Sequence, residues 1–477
     1  MRKQSDPSAS AADRPTRVVI LGGGFGGVFT AHHLERLLRR NRNVEVVLVS
    51  RDNFFLMTPL LFDVCTGTLG LHNCSASVRS VLRSTRVVEA TVTGVDVDRR
   101  VVIVEADGEH RDLGYDHLVL ALGGVTNQRS IPGSETAFTF KSLTDAALLR
   151  NHVLEQLERA DTETDPDRKR HRLTFAVIGG GFVGVELFGE LTAFVRKILR
   201  LYPRVREDEL RFVLLQHGDR IMPEVDPKLA TYTEAVLRGR PGVEVRTGTD
   251  VTRVEPGRVV VGDTAIEAGT VVLAAGMQTN PLVAALPLTR DRRGRLVVEA
   301  TMRSPDRPEV WALGDCAAVP DPHGNPYPTL AQHAIRQAKV LARNIAAVLG
   351  GREPEPFVYD TLGIMASLGA GKGLGTVLKV RVQGLLAWWA RRGYYLLTMP
   401  GWGRRLRIVT DWAVALVTRP DTDRIDLGDA AARYGREHPP VEPRNSVATV
   451  SGGEPPTGSP RAPLPISASP PLVKENP

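Results

Sequence analysis

Two related stretches decide the fold of this 477-residue chain, and the first is RVVILGGGFGG, Arg17–Gly27. A short apolar run leads there into glycines spaced G-x-G-x-x-G, and a helical pattern follows. The same arrangement returns in LTFAVIGGGFVG, Leu173–Gly184. Each copy then reaches another apolar run, Val44–Val49 in the first copy and Arg211–Leu215 in the second. Both copies therefore predict a strand–helix–strand unit of a doubly wound α/β fold.

Each loop needs glycine at three positions, for three different reasons. The first glycine permits a tight turn, the second lets the backbone approach a pyrophosphate, and the third lets the helix pack close to the sheet. In chain order these glycines are Gly22, Gly24 and Gly27, then Gly179, Gly181 and Gly184. Because the helix N-terminus also stabilises phosphate charge, two dinucleotide sites are predicted. FAD and NAD(P) are the pair between which hydride can pass.

The acidic residue that usually ends the second strand of such a unit is absent from both copies. Ser50, followed by Arg51, stands there in the first copy, and Gln216 stands there in the second. A carboxylate at this position binds the ribose and repels a 2′-phosphate. Because Gln216 keeps the hydrogen bond without the repulsion, NADPH is tolerated under one hypothesis. Under the other, the site has drifted and NADH is still preferred.

Two later positions are further candidates for cofactor binding. Asp315 follows the strand-like run Val310–Leu313, where a carboxylate can hydrogen-bond the ribityl chain of a flavin. Gly276 directly follows another predicted strand, Val271–Ala275.

Apolar patterns and breaks also predict the organisation of the chain. Further strands are predicted at Arg99–Glu105, Leu118–Leu122 and Val259–Val261, with a helix at Leu330–Leu349 and a surface loop at Asp161–Arg170. The predicted segments are a disordered N-terminus (1–15), a first part of the FAD-binding domain (16–160), an NAD(P)-binding domain (171–300), a second part of the FAD-binding domain (301–370), an amphipathic membrane-associating region (371–430) and a disordered Pro-rich tail (437–477).

Composition narrows the class of protein. An apolar content of 42% and a charged content of 24% indicate a globular protein, and the net charge of +7 suggests an anionic partner. Nucleic acid, an anionic membrane and phosphate-bearing cofactors all fit that charge. The three cysteines, Cys65, Cys74 and Cys316, form no C-x-x-C pair. This pattern favours a reducing compartment and argues against a zinc site.

The polar N-terminus is unlike a signal peptide, and no apolar run is long enough to span a bilayer, so any membrane contact is expected to be peripheral.

These motifs resemble the FAD/NAD(P) pyridine nucleotide–disulfide reductase superfamily. Members that reduce disulfides carry a cysteine pair after the first loop, whereas Cys65 has no near partner here. The stretch Phe54–Gly67 instead looks like the F-x-P-L-L-x-x-V-x-x-G motif of type II NADH dehydrogenases, the single-chain NADH:quinone oxidoreductases. Ala331–Gln337 reproduces their A-Q-x-A-x-x-Q motif, and Ala121 and Gly123 match an A-x-G that closes over the flavin.

The resemblance implies roles for three polar residues. Gln332 and Gln337 are expected near the flavin and the quinone headgroup, where a neutral donor can stabilise a reduced quinone oxygen. Because their i, i+5 spacing does not place them at the same spot on a helix face, we expect Gln332 more than Gln337 to have this role. Glu186, early in the second helix, is expected to contact the nicotinamide amide or to mediate proton transfer, the alternative being an acid that only stabilises the start of the helix.

The C-terminal region carries a membrane-binding pattern. In the segment Arg404–Arg419, an apolar stripe recurs at helical spacing and includes Val409, Trp412, Ala413, Leu416 and Val417. The neighbouring segment Gly384–Leu397 is rich in aromatic residues. Basic residues surround both segments: Lys372, Lys379, Arg381, Arg391, Arg392, Arg404, Arg405, Arg407 and Arg419. An in-plane helix on an anionic membrane needs these features. The alternative is an amphipathic helix packed on the core or on the partner of a possible homodimer. No nucleic-acid-binding motif accompanies the charge.

The resulting hypothesis is a peripheral NAD(P)H:quinone oxidoreductase with noncovalent FAD at the cytoplasmic face of the cell membrane. With no predicted membrane-spanning segment, it is expected not to pump protons. A sulfide:quinone reductase is one alternative, although its catalytic cysteines are not in their usual arrangement. A flavoprotein that senses redox state or binds a partner is the other. No metal site is expected.

Overall fold

The computed structural model describes residues 14–361, 363–369, 371–378 and 380–425. Residues 1–13 of the predicted N-terminal segment and the whole predicted tail, 437–477, lie outside the described residues.

The described strands, in chain order, are β1 (Thr16–Leu21), β2 (Val44–Ser50), β3 (Phe54–Leu56), β4 (Ser75–Ser77), β5 (Arg86–Glu89), β6 (Thr91–Asp96), β7 (Val101–Ala106), β8 (Glu109–Gly114), β9 (His117–Leu120), β10 (Gly124–Thr126), β11 (Thr174–Ile178), β12 (Arg211–Leu215), β13 (Val243–Arg246), β14 (Val251–Glu255), β15 (Arg258–Val261), β16 (Thr264–Glu267), β17 (Thr270–Leu273), β18 (Met277–Thr279), β19 (Leu296–Val297), β20 (Val310–Ala312), β21 (Ala317–Ala318), β22 (Met365–Ser367), β23 (Gly373–Val377) and β24 (Val380–Gln383).

The described α-helices are α1 (Phe25–Leu37), α2 (Leu61–Cys65), α3 (Val78–Val81), α4 (Leu143–Thr162), α5 (Pro166–Arg172), α6 (Phe182–Ile198), α7 (Pro227–Arg238), α8 (Pro281–Ala285), α9 (Ala331–Leu349), α10 (Gly384–Thr398) and α11 (Trp402–Val417). Short 3₁₀ helices lie at Thr58–Leu60, Leu71–Cys74, Ser134–Thr136, Leu199–Leu201, Glu207–Glu209 and Gly314–Cys316.

The first glycine loop stands on a five-stranded sheet with the order β20–β9–β1–β2–β5. All of its neighbouring strands pair in parallel. Val18–Leu21 of β1 are buried on both faces of the sheet, as expected for a central parallel strand covered by helices. Helix α1 follows β1 directly, and it packs against α9. The strand β20, far along the chain, returns to complete this sheet.

The second glycine loop stands on a separate four-stranded sheet with the order β13–β12–β11–β17, again parallel throughout. Its central strand β11 is buried at every position, and α6 follows it. The two βαβ units thus stand on two sheets, and the predicted α/β fold with two Rossmann-type units is confirmed.

Antiparallel pairs surround these two sheets. They form the three-stranded sheets β6–β7–β8, β14–β15–β16 and β22–β23–β24, together with the pairs β3–β4 and β10–β18. Strands β19 and β21 form a short parallel pair.

The predicted surface loop at Asp161–Arg170 is wrong, because most of that segment is helical. Helix α4 continues to Thr162, and α5 begins at Pro166. The Asp165 carboxylate accepts hydrogen bonds from the backbone N–H groups of Asp167 and Arg168, and proline at the first helical position has the backbone angle that a helix needs.

The C-terminal region forms two helices, of which α11 contains the predicted helical stripe and α10 contains the segment rich in aromatic residues. Helix α10 packs on β22 and β23, and α11 lies against α10 and the 3₁₀ turn at Leu71–Cys74. Among the described residues, no helix is long and apolar enough to cross a membrane.

Candidate functional site

The first glycine loop has one distinct constraint at each of its three motif positions. Gly22 has a φ of +112°, and a Cβ there would lie 2.3 Å from the carbonyl oxygen of Ala121. A Cβ at Gly27 would lie 1.8 Å from the Gly22 carbonyl oxygen, so the helix approaches the turn too closely for any side chain. At Gly24, by contrast, a Cβ would meet nothing within 4 Å. This open space lies at the N-terminus of α1, which has no side-chain cap, so its first N–H groups suit a pyrophosphate.

The second loop repeats this geometry. Gly179 has a φ of +113°, and a Cβ at Gly184 would lie 1.9 Å from the Gly179 carbonyl oxygen. A Cβ at Gly181 would come near only one atom, the Glu224 Oε1 at 3.3 Å. Helix α6 also begins without a side-chain cap. Both loops therefore offer the cradle that a dinucleotide pyrophosphate requires.

The side chain at each second-strand end points at its glycine loop. The Gln216 Oε1 accepts a hydrogen bond of 2.8 Å from the Gly180 N–H, which leaves the amide N–H groups of Gln216 as donors. The Ser50 hydroxyl donates to the Asp52 carbonyl oxygen at 2.7 Å, and only its lone pairs remain to accept from a ribose. Arg51 is exposed and pairs with Asp52 at 3.2 Å.

Asp315 and Gln337 meet at the turn that follows β20. The Gln337 Oε1 accepts a hydrogen bond of 2.8 Å from the Gly314 N–H, so this buried glutamine holds the turn. The Asp315 carboxylate accepts no hydrogen bond from any described residue. Burial raises the pKa of Asp315, and the nearby Lys141 opposes that rise. An acceptor left without a donor fits the hydroxyls of a ribityl chain.

The A-x-G segment follows β9 of the first sheet. The Ala121 N–H donates to the Leu21 carbonyl oxygen. Gly123 has a φ of +63°, and a Cβ there would meet nothing within 4 Å. Gly276 has a φ of +73°, and a Cβ there would lie 2.6 Å from the Ser130 hydroxyl. Gly123 therefore borders open space, whereas Gly276 packs against a loop.

Gln332 and Gln337 face different surroundings, as their spacing predicts. The Gln332 Nε2 donates to the Gly363 carbonyl oxygen at 2.7 Å, and its Oε1 accepts from the Tyr359 hydroxyl at 3.3 Å. Because an amide nitrogen carries two hydrogens, one N–H of Gln332 remains as a donor. Gln337 touches the Asp315 turn instead.

Glu186 lies near the start of α6 and is buried, with only 2% of its surface exposed. Its Oε1 accepts a hydrogen bond of 2.8 Å from the Ser367 N–H and lies 2.5 Å from the Arg391 Nε. Burial raises the pKa of Glu186 to about 8, against the opposing effects of Arg391 and Ser367.

Two further acids complete a buried ionic cluster around Glu186. The Arg392 Nη2 donates to the Asp63 Oδ1 at 2.8 Å, and the Arg391 Nη1 lies 3.8 Å from the Asp63 Oδ2. The Ser367 hydroxyl donates to Glu190, whose pKa is also raised by burial. The cluster holds three carboxyl groups against two guanidinium groups, so burial favours the retention of a proton.

This cluster corrects part of the predicted membrane-facing charge. Arg391 and Arg392 are buried and pair with acids inside the fold, because a desolvated guanidinium requires a carboxylate partner. Arg381 pairs with Asp226 at 3.0 Å, and Arg404 donates to the His72 carbonyl oxygen at 2.8 Å. Lys379 lies outside the described residues.

The sequence interpretation assigned no role to Asp63, Glu190 or Ser367. A signal for one of them was present, since Asp63 is a lone acid inside the apolar run Pro59–Cys65. Such an acid is buried only when it is paired.

The three cysteines are buried and form no disulfide. Burial raises the pKa of Cys65 and of Cys74 to about 12 and that of Cys316 to about 11. Because the thiolate is the reactive form of cysteine, these buried and protonated thiols are poorly suited to the redox chemistry of sulfide oxidation.

Comparisons with known proteins agree with this architecture. Residues 16–338 match the family described as pyridine nucleotide-disulphide oxidoreductase. The type II NADH:quinone oxidoreductase Ndh of Mycobacterium tuberculosis is 31% identical over 435 residues, which cover 88% of this chain and 91% of the relative. The demethylphylloquinone reductase NdbB of Synechocystis is 31% identical over 417 residues, which cover 86% of this chain and 97% of the relative.

A solved structure shows the same fold. NDH2 from Plasmodium falciparum in complex with NADH superposes with a TM-score of 0.79 at 18% identity, and the match covers 86% of this chain and all of that one. Its two dinucleotide loops and its sequence relatives show that the chain belongs to the type II NADH:quinone oxidoreductases, which are FAD-dependent members of the pyridine nucleotide-disulphide oxidoreductase family.

Proposed function

We propose that this chain oxidises NADH or NADPH and delivers the electrons through noncovalent FAD to a membrane quinone, without pumping protons. The observation that carries the proposal is the presence of two complete dinucleotide loops, on two parallel sheets, in a chain that belongs to this family along most of its length. The overall reaction takes one proton from the medium for each NADH oxidised and each quinone reduced to quinol.

The first loop holds FAD in this proposal. FAD supplies a centre that accepts hydride and passes on two electrons. The open backbone at Gly24 takes the pyrophosphate, and Ser50 accepts from the ribose. Asp315 binds the ribityl hydroxyls, and Gln337 keeps the Gly314 turn in place beside it.

The second loop holds the nicotinamide dinucleotide, with its pyrophosphate at Gly181. Gln216 is fixed by the Gly180 N–H, so its free amide N–H groups are directed to the ribose. An amide donor serves a 2′-hydroxyl and a 2′-phosphate alike, which supports the use of both NADH and NADPH.

Gln332 and Glu186 act on the quinone in this proposal. The N–H of Gln332 that is not bonded to Gly363 donates to a quinone carbonyl oxygen and stabilises the charge that develops there. Tyr359 orients that amide through its hydroxyl. Glu186 holds a proton within the buried cluster and supplies it for quinol formation, which its raised pKa supports.

Helices α10 and α11 hold the protein at the cytoplasmic face of the membrane as a peripheral protein. Their exposed apolar residues are Leu385, Leu386, Trp389, Leu397, Trp402, Leu406, Val409, Val414, Leu416 and Val417. Trp412 differs from the predicted stripe because it is buried over the Arg392 guanidinium. The alternative is that a second copy of this chain covers this apolar surface in a homodimer.

The test is steady-state oxidation of NADH and of NADPH by the purified flavoprotein with a soluble quinone. We expect turnover with both reductants and formation of one quinol for each nicotinamide oxidised. Failure of both reductants to reduce the quinone, with FAD bound stoichiometrically, contradicts the proposal and favours a binding or sensing protein.

A further inference from the structure

A basic cavity of about 800 Å³ lies beside the α10–α11 turn. Helix α1 lines one wall, α9 a second, and the end of α3 a third, while the turn between α10 and α11 closes the fourth. No residue of either dinucleotide loop lines it. Its size is that of a site for a drug-sized molecule, and much larger than a lone phosphate needs.

The charge of this cavity has one sign. Its lining includes six basic side chains and no acid: His32, His33, Arg83, Arg336, Lys339 and Arg405. None of the six lies within ion-pair distance of a carboxylate in the described part of the chain. Glu35, the acid on the adjacent turn of α1, already accepts from the N–H groups of Ser84 and Thr85, at 2.7 and 2.6 Å.

Two features of the histidines in the lining bear on anion binding in this cavity. The His32 Nδ1 is buried and has no hydrogen-bond partner in the part of the chain that the structure describes, although a buried polar atom usually has one. Burial, followed by the charges of His32 and Lys339, lowers the pKa of His33 to about 4, so His33 is uncharged near neutral pH and the cations of the lining are Arg83, Arg336, Lys339 and Arg405. Positive charges are thus gathered without local compensation, which costs free energy unless an anion binds.

The cavity is also apolar in part, and it adjoins the exposed apolar surface. Phe29 and Ile335 contribute to its walls. Leu397 lines it while remaining 70% exposed, and Trp402, just beyond the turn, is 78% exposed. A ligand with an anionic head and an apolar tail therefore finds both of its chemistries in one place.

We infer that this cavity binds the phosphate headgroup of an anionic phospholipid, with the acyl chains leaving past Leu397. A free phosphate shares the headgroup chemistry but makes no use of the apolar walls or the apolar mouth. The assignment of the anion to a lipid rests on the proposed membrane location of the protein. The binding of an anion in the cavity does not depend on that location.

Calorimetric titration of the full-length flavoprotein tests the inference with three probes. They are short-chain phosphatidylglycerol below its micelle concentration, the matching phosphatidylcholine, and inorganic phosphate. We expect saturable binding of one phosphatidylglycerol per chain, with the other two probes at least about ten-fold weaker. Equal binding of inorganic phosphate overturns the lipid assignment in favour of a free anion, and equal binding of phosphatidylcholine overturns the anion assignment.

A pair of double variants ties that binding to the cavity. Arg83→Gln with Lys339→Gln removes two exposed cavity cations that make no side-chain bond in the described structure. We expect phosphatidylglycerol binding to weaken about 25-fold, at roughly a factor of five for each cation. Arg292→Gln with Arg293→Gln removes the same charge from an exposed loop that does not line the cavity, and should leave binding unchanged.

An equal loss in both double variants overturns the inference, since it identifies a general effect of net charge. Quinone reduction by the unmodified enzyme is measured in parallel. Failure of the proposed function appears there and failure of the cavity appears in the titration, so the two are distinguishable.

Discussion

Gly24 and Gly27 are three residues apart, yet a side chain at each would meet opposite surroundings. Open space faces Gly24, while the backbone itself faces Gly27 at 1.8 Å. The second loop repeats the contrast between Gly181 and Gly184. The third glycine of each motif is thus required by the fold, whereas the second borders space that a ligand can occupy.

Valine at Gly24 and valine at Gly181 should therefore impair the binding of different cofactors. Gly181→Val should give a folded, yellow protein whose kcat/KM for NADH falls about 100-fold or more, since the side chain occupies the pyrophosphate space. Gly24→Val should give folded apoprotein. Flavin absorbance and NADH kinetics measure both outcomes. Gly184→Val is the control, and it should fail to fold. Normal NADH kinetics in Gly181→Val would mean that the second loop is not the nicotinamide site.

Gln216 should set the choice of reductant. Glutamate at this position keeps an oxygen that accepts from the Gly180 N–H but adds a charge that repels the 2′-phosphate of NADPH. We expect Gln216→Glu to lower the NADPH/NADH ratio of kcat/KM values about ten-fold, corresponding to about 1.4 kcal/mol. Gln216→Ala, which loses the Gly180 bond, should lower both values alike. An unchanged ratio in Gln216→Glu places the ribose elsewhere.

Glu186 should make the stability of the protein fall as the pH rises. Its pKa is about 8 in the folded chain, against an ordinary value of 4.5. The folded state therefore holds the proton more tightly, and the stability that this provides is present below pH 4.5 and lost as the pH rises through about 8.

The measurement is urea unfolding at several pH values between these limits. Each pH unit should cost at most about 1.4 kcal/mol from this one group. Glu186→Gln should flatten the dependence, whereas Glu353→Gln, at an exposed position, should not. If the slopes of the parent and of Glu186→Gln are the same, Glu186 does not hold the proton.

At the scale of elements, helix α10 is fixed to the fold by charges and not only by its apolar face. Arg391 is 2% exposed, and its guanidinium lies between Glu186 of α6 and Asp63 of α2. The Arg392 guanidinium lies 3.7 Å from the centre of the Trp388 ring. One short helix thus joins elements that are far apart in the chain.

Asp63 is the anion on which both arginines depend. Asp63→Asn should destabilise the protein by about 3–5 kcal/mol, because it leaves buried guanidinium charge uncompensated. Asp52→Asn, which breaks the exposed pair with Arg51, should cost less than about 1 kcal/mol. Urea unfolding measures both. Equal small losses would show that the cluster tolerates excess positive charge.

The glycine loops could be predicted from the sequence because their requirements are local. A turn, a helix start and a strand lie within a few residues of each other, and each restricts the residue type. The charged helix at Pro166–Arg172 could also have been predicted, since Asp165 and Pro166 are a capping residue and a first-turn proline. The roles of Arg391 and Arg392 could not. Arginine beside tryptophan suits both a membrane surface and a buried ion pair, and the deciding partner, Asp63, lies far away in the chain.

At the scale of the whole molecule, α10 and α11 make different contributions. Helix α10 closes the ionic cluster, so a chain that ends before Gly384 loses both arginines and is expected to misfold. Most of α11 is exposed, including Leu406 at 58%, Val414 at 50% and Val417 at 85%. Substitutions on α11 are therefore the cleaner test of membrane binding.

Serine at Leu406, Val414 and Val417 should abolish sedimentation with lipid vesicles and spare reduction of a soluble quinone. Full burial of each such side chain contributes about 1.5–3 kcal/mol, so partial burial of all three in the lipid interface corresponds to a loss of at least about 100-fold in affinity. Arg407→Gln with Arg419→Gln is the matched charge variant, because neither side chain bonds within the described structure. That variant should weaken binding only to vesicles that contain anionic lipid.

Size-exclusion chromatography tests the alternative of a homodimer. If the serine variant elutes at half the molecular mass of the parent protein while vesicle binding is unchanged, the apolar surface of α11 is a dimer interface and not a membrane anchor.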